Sequence, residues 1–335
     1  MMDFSLSTDQ LDLRSGLTAL LAGHSTPQRV RAAEPLGFDP ALWAVLGDFG
    51  FPHLASAREA TPAGLADLAV AARAAGAALA SAPLVETLVA TRLLDRLGRA
   101  DLTGLVTFAP RPAAAGVART APWAAVADRV LAWHDGRLVA SAPGAGVDAP
   151  KQTLAGLALG HVDLTGATVL ASGADATEAF ADALADWRVL TAATLAGIGA
   201  AGLRLGVDYA KTRHQFGRPI GSFQALAHQL ADAAALVDGA ELLVLEAAWA
   251  GDTGSGRRRG LAAMAAAFAG RAARRATDRS LHAHGGYGYT MEYDIQLYFR
   301  RAKALDLLGG GERAAVDAVV DLALHDIDDA DEGRG

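Results

Sequence analysis

A mainly α-helical fold with one small β domain is what this 335-residue sequence predicts. Three observations point to it. Residues 1–98 read as consecutive helices with start and stop signals. Between about Asp101 and Ser172 the chain turns into short strand-like runs rich in Ala, Pro and Gly. After Ser172 helices return, three of them near 25–30 residues long, the lengths expected of an antiparallel bundle. The chain also exceeds the size at which one hydrophobic core stops growing. The predicted division is an N-terminal helical domain (1–98), a reduced middle β domain (99–174), a C-terminal helical bundle (175–326) and an acidic tail (327–335).

Each element has a local reason. Ser7-Thr8-Asp9-Gln10 has the form of a capping box, with Leu6 and Leu11 placed as a hydrophobic staple. Asp39-Pro40 starts a second helix, which Gly50 ends. Further helical runs cover Leu65–Ala80 and the residues after Pro83. Gly104–Phe108 reads as a strand. Val130–Trp133 and Arg137–Ala140 flank Asp135-Gly136, a hairpin signal, and Ala167–Leu170 reads as the last strand. A helix then runs to about Thr212, a second from about Ser222 to Gly251, and a third from Arg257 to His282. Gly285-Gly286-Tyr287-Gly288 breaks the chain. A shorter helix follows from Tyr293, and a last one begins at Glu312 after three glycines.

Composition excludes several functions. The net charge of −7 offers no footprint for nucleic acid or an anionic membrane. With no cysteine there is no disulfide framework, thiolate metal site or Cys nucleophile. The first residues lack a charged segment followed by an apolar run, and apolar stretches elsewhere carry charges every few residues, so a cytoplasmic protein without membrane spans is expected. His282 and His284 have no nearby carboxylate to complete a metal site. Trp43, Trp123, Trp133, Trp187 and Trp249 are scattered and expected in the core.

Two stretches stand out. In RHQFGRPIGSFQ, Arg213 is an anion donor in fork geometry, Gly217 and Pro219 hold a turn, and Gln224 opens the next helix. Phe216 either plugs the core or offers a flat apolar surface to a ligand. In HAHGGYGYTMEYDIQLYFRRAK, successive glycines at a helix end let a phosphate or another backbone approach.

Together, in this order and separation, these stretches resemble the C-terminal domain of the acyl-CoA dehydrogenase family. The matching residues are Arg213-His214-Gln215-Phe216-Gly217 with Ile220 and Gln224, then His282 through Tyr289, then Arg300-Arg301-Ala302-Lys303. MDFSLSTDQLDLR and GFDPALWAVLGDFG are similar to the family's first helices. The resemblance implies an N-terminal helical domain, a middle β domain and a C-terminal four-helix bundle. It implies FAD-dependent oxidation of an acyl-CoA thioester, with a carboxylate removing the α proton and the β hydride passing to the flavin.

The sequence departs from that family at three places. Gly309 stands where the catalytic Glu is expected, and Glu312 lies three residues on. Trp187-Arg188 occupies the alternative position, where some members place a base just before an Arg; Arg188 is retained as a substrate-binding candidate. VTFAPRPAAAGVART replaces the loops that hold the flavin ring. The resemblance therefore implies no catalytic residue and no metal here. It implies a shortened, non-catalytic subunit, similar to those of heterotetrameric steroid or cholesterol side-chain dehydrogenases. Its expected contribution to FAD is Arg213, Gln215, Phe216, Gln224, His282, Gly285 and Gly286, which would hold the adenosine and pyrophosphate end. The expected partner is a catalytic acyl-CoA dehydrogenase subunit in an α2β2 assembly. That subunit would hold most of the acyl-CoA, and an electron-transfer flavoprotein would serve as acceptor. A self-sufficient homomer with a relocated base, and a non-enzymatic acyl-CoA-binding scaffold, are the alternatives.

Overall fold

The computed structural model describes residues 4–99, 101–142, 153 and 155–332. Backbone contacts divide the chain into two units: one of residues 1–22, 69–79 and 188–335, the other of residues 23–68 and 80–187.

The capping chemistry read from the sequence is realised. Helix α1 (Thr8–His24) begins where the Gln10 amide donates to Ser7 Oγ at 3.2 Å and the Ser7 amide donates to Gln10 Oε1 at 3.1 Å. Leu11, however, is left 39% exposed. Asp39 caps α3 (Pro40–Asp48) by accepting from the Ala41 and Leu42 amides at 3.0 Å, and Arg29 grips the same carboxylate at 2.8–3.0 Å. Between them lies a helix the sequence reading passes over, α2 (Pro27–Ala33), with Thr26 as its cap and Pro27 in its first turn. Gly50 turns the chain at φ +83°. Helices α4 (Leu65–Ala77) and α5 (Leu84–Arg96) follow.

Among the described residues the second unit holds two small sheets. Strand β1 (Val106–Phe108) pairs in parallel with β3 (Arg129–His134). Strand β3 forms the expected hairpin with β4 (Arg137–Ala140), and β4 pairs antiparallel with β6 (Thr168–Ser172). Asp135 and Gly136, at φ +45° and +74°, match the primed turn that the right-handed twist of a hairpin favours. A separate ribbon joins β2 (Val117–Pro122) to β5 (Leu159–Asp163). These two strands are not evident in the sequence, because VARTAP and LGHVD carry Pro or Gly and no sustained alternation. Val130, Val139, Val162 and Leu164 pack between the sheets with small alanines.

Helix α6 (Gly173–Thr212) starts in this unit, antiparallel to α5. Arg92 and Arg96, one turn apart on α5, pair with Asp186 and Asp182, one turn apart on α6; Arg92 Nε lies 2.8 Å from Asp186 Oδ2. Beside this ladder, Glu86 is buried at 5% exposure and accepts from Trp187 Nε1 at 3.1 Å. Burial pushes the Glu86 carboxyl above its usual range, and the indole N–H groups of Trp187 and Trp123 partly offset that.

In the first unit α6 continues into a bundle with α7 (Gln224–Asp252), α8 (Arg258–His284), α9 (Ile295–Leu308) and α10 (Gly311–Glu332). Helix α10 runs through the acidic stretch that the sequence sets apart from residue 327. The bundle packs closely because small residues face one another. A Cβ at Gly197 would sit 2.1 Å from the Arg73 carbonyl oxygen, and one at Gly76 would sit 2.1 Å from that of Thr194. Side chains cannot be accommodated at such separations, so α4 and α6 touch backbone to backbone. Abundant Ala and Gly thus serve helix contact as well as volume. Helix α6 has the length and mean hydropathy (1.4) of a membrane span, yet 72% of its most apolar stretch is buried by protein. Trp249 departs from the expected core placement: it is 47% exposed on α7.

Candidate flavin-nucleotide clasp and vacant base position

The first of the two distinctive stretches folds as a hairpin between α6 and α7. His214–Gln215 (β7) pairs with Arg218–Pro219 (β8), His214 opposite Pro219 and Gln215 opposite Arg218. The two central residues, Phe216 and Gly217, have φ of +52° and +78°. A glycine adopts this conformation freely. For phenylalanine it costs about 1 kcal/mol. The strained turn throws the Phe216 ring outward, 92% exposed. Of the two readings the sequence left open, the core plug is therefore wrong. The hairpin is anchored by the Ile220 amide donating to the Arg213 carbonyl at 2.8 Å. Arg218 lies over the Phe223 ring at 4.3 Å, and Phe223 meets Phe216 edge-on at 6.1 Å. Gln224 is the first residue of α7. Phe223 before it provides no capping side chain; its carbonyl accepts the Leu226 and Ala227 amides at 3.0 Å, and among the described residues the Gln224 and Ala225 amides at the start of this 29-residue helix are left open.

The second stretch lies beside it. Helix α8 ends at His284, and Gly285 takes φ +62°, ψ −145°, a conformation confined to glycine. Gly286 has no such backbone requirement, and a Cβ there would meet nothing within 4 Å. Among the described residues nothing crowds this position and so explains its lack of a side chain. Tyr287 follows, 55% exposed, with the Arg213 guanidinium 6.0 Å from its ring centre. Behind them stands a group of rings. Tyr209 of α6 stacks on His284 at 4.1 Å, Tyr293 meets both edge-on, and Tyr287 tilts against Tyr293 at 5.9 Å. His284 is buried and donates from Nδ1 to the Ser280 carbonyl at 2.7 Å.

The fold thus brings Arg213, Phe216, Gly285 and Gly286 to one end of the bundle, through Tyr287. Gln215 and Gln224 are exposed on the hairpin and at the start of α7, and His282 is exposed on α8. Among the described residues Arg213 has no carboxylate partner. Tyr209 and Tyr293, which support the group, were not signalled by any motif; their role appears only in the ring contacts. No metal-ligand cluster occurs among the described residues.

The positions where a base is expected are empty of one. Gly309 follows the last turn of α9, exposed, with no ionisable group. Glu312 is held at 2.7 Å by Arg274. Trp187 is buried against Glu86, Asp186 is paired with Arg92, and Glu241 is paired with Arg73 at 2.8 Å. Arg188 is half-buried without a partner among the described residues, and burial lowers its pKa below the ordinary value.

Residues 177–321 match the model of the acyl-CoA dehydrogenase C-terminal domain. The chain is also 35% identical over 322 residues to the acyl-CoA dehydrogenase IpdE2 of Mycolicibacterium smegmatis, covering 91% of this chain and 96% of that one. The chain belongs to the acyl-CoA dehydrogenase family. Among solved structures of this family, the Tcur3481–Tcur3483 steroid ACAD matches with a TM-score of 0.85 at 26% identity. The ChsE4–ChsE5 complex from Mycobacterium tuberculosis matches with 0.82, also at 26%. Each match covers 95% of this chain and 98% of the other. The acyl-CoA dehydrogenase fold of helical, β and helical segments expected from the sequence is therefore present, and the activity class is an oxidoreductase acting on acyl-CoA.

Burial makes one acid-base property of this fold testable. A carboxyl whose folded pKa is raised contributes stability that is complete below its unfolded value and lost as pH rises through the folded value. For Glu86 the unfolded value is 4.5 and burial raises it. The stability advantage of Glu86→Gln over the parent chain is therefore expected to grow between about pH 4.5 and neutrality. Melting temperatures of the two proteins across that range measure it; a constant difference would contradict the upward shift of the Glu86 carboxyl.

Proposed function

We propose that the chain is the non-catalytic subunit of a heteromeric FAD-dependent acyl-CoA dehydrogenase. In this reading it supplies the adenosine and pyrophosphate half of a flavin site completed by a catalytic partner. One observation carries the reading. The same chain keeps an unpaired Arg213, an outward Phe216 and an unobstructed Gly286, and has no carboxylate at Gly309 or Trp187.

The residues present fit the nucleotide tail. A guanidinium without a carboxylate partner offsets diphosphate charge. A glycine with open space above it admits a close ligand. The uncapped start of α7 favours an anion. They do not fit the reactive half: Gly309 takes no proton, and Glu312, Asp186 and Glu241 are already in ion pairs. When bound, FAD supplies the two-electron sink for the β hydride. This chain's own contribution is to bind and orient the nucleotide end, with Gln215, Gln224 and His282 as polar contacts and Arg188 as a substrate contact. The partner supplies the base and holds most of the acyl-CoA, and an electron-transfer flavoprotein accepts the electrons. The names of the similar steroid ACAD and of the ChsE4–ChsE5 complex support a steroid-related substrate and an assembly with an unlike subunit; a steroid side-chain CoA ester and an α2β2 stoichiometry are the finer parts of this proposal.

The test is the visible spectrum of the chain purified alone and after co-expression with a full-length acyl-CoA dehydrogenase that carries the glutamate. Colourless alone, with flavin and dye-coupled turnover in the mixed complex, is the expected result. Flavin in the lone chain that bleaches on acyl-CoA addition would replace the proposal with a self-sufficient homomer. No flavin in either preparation would leave a scaffold.

A further inference from the structure

A concave feature lies elsewhere in the bundle. A cavity of about 330 Å³ opens where α8 faces α9 and the first turn of α10. On α8, Arg271, Arg274, Arg275 and Asp278 recur at the spacing that places side chains on one helix face. On α9, Phe299 and Lys303 stand one turn apart, and Glu312 borders the cavity from α10.

The acids around it are already engaged. Arg274 is held by Glu312 at 2.7 Å and by Asp306 at 3.0 Å. Asp278 lies 3.8 Å from Arg279. Arg271 rests over the Phe268 ring at 5.6 Å. Among the described residues no carboxylate pairs with Arg271, Arg275 or Lys303. Three uncompensated cations therefore border one cavity, in a chain whose net charge is −7. Like charges on successive helical turns repel, and a concave cluster of one sign concentrates counter-ions. The Arg fork matches phosphate oxygens, and the volume lies within the range of small-molecule sites. Lys303 belongs to the RRAK motif and has no part in the proposed nucleotide clasp.

We propose that this cavity binds a pyrophosphate-bearing small molecule, with Arg271, Arg275 and Lys303 as its charge contacts and Phe299 as an apolar wall. The inference does not rest on the flavin reading. Calorimetric titration of inorganic pyrophosphate into the full chain carrying Arg213→Ala tests it with the clasp cation removed. The expected dissociation constant is below about 1 mM. It should rise tenfold or more when Arg275→Ser and Lys303→Ser are added. Both side chains are exposed and unpartnered, and an unchanged circular dichroism spectrum controls for folding. ADP binding more tightly than pyrophosphate would identify a nucleotide as the source of the diphosphate. Coenzyme A binding more tightly than ADP would identify its 3′-phosphate end. No binding at about 5 mM pyrophosphate, equal affinity in the double variant, or binding of polyglutamate in place of pyrophosphate would overturn the proposal.

Discussion

Arg213→Ala is expected to release most of the flavin from a complex of this chain with a catalytic dehydrogenase subunit. The side chain is exposed, has no carboxylate partner among the described residues, and lies 6.0 Å from the Tyr287 ring centre, so little in the subunit's own fold depends on its charge. Its loss would remove two charge-assisted hydrogen bonds to a diphosphate, each about 1.5–3 kcal/mol. That corresponds to weakening by roughly 100-fold or more. Arg213→Lys should fall between, because an ammonium offers a point charge without the two-pronged geometry. Flavin-to-protein absorbance after gel filtration measures both, with the melting temperature of the lone chain as the control. Unchanged flavin content in the Ala variant would remove Arg213 from the site.

Trp187→Ala should be the most damaging single change to the fold. The side chain is 3% exposed, and its Nε1 donates to a carboxyl that is itself buried. Deleting a buried Trp costs about 3–5 kcal/mol. Leaving a buried acceptor without one of its donors adds about 1–3 kcal/mol. Against a total stability of about 5–15 kcal/mol, the variant is expected to be largely unfolded or to melt far below the parent. Trp187→Phe keeps most of the volume and loses only the N–H, so it should cost about 1–3 kcal/mol. Adding Glu86→Leu to Trp187→Phe should restore part of that loss, since no acid then remains to be satisfied. Denaturant unfolding of the series separates the packing loss from the hydrogen bond; equal losses for Ala and Phe would contradict the division.

The sequence was most informative where chemistry is local. Ser7 with Gln10, Asp39 before Pro40, and Asp135-Gly136 each specify their element through neighbours a few residues away. Thr26-Pro27 carried the same kind of signal, but its helix spans only 7 residues and shows no periodicity. Strands β2 and β5 depend on each other across about 40 residues, and neither sequence alternates enough to announce a strand. Two side chains reversed the usual expectation for their type. Glu86 on a helix would ordinarily face water, and its burial is offset by hydrogen bonds from the Trp187 indole, its own backbone amide and the Trp123 indole. Phe216 would ordinarily pack inward, and only the positive φ of its turn points it out. At the candidate site the motifs supplied Arg213, Phe216 and the glycines. The ring group of Tyr209, His284 and Tyr293 behind them required the crossing of α6 with α8, which no single segment encodes.

The exposed ring at the tip of the β7–β8 hairpin also bears on how much of this polypeptide a cell can hold. Under the proposed function the ligand or partner that covers this ring removes from water an apolar side chain worth about 1.5–3 kcal/mol, which a lone copy leaves exposed. Copies made in excess of whatever caps that ring should be the first to clump or be degraded, so matched synthesis of the two would be a requirement of solubility as much as of chemistry.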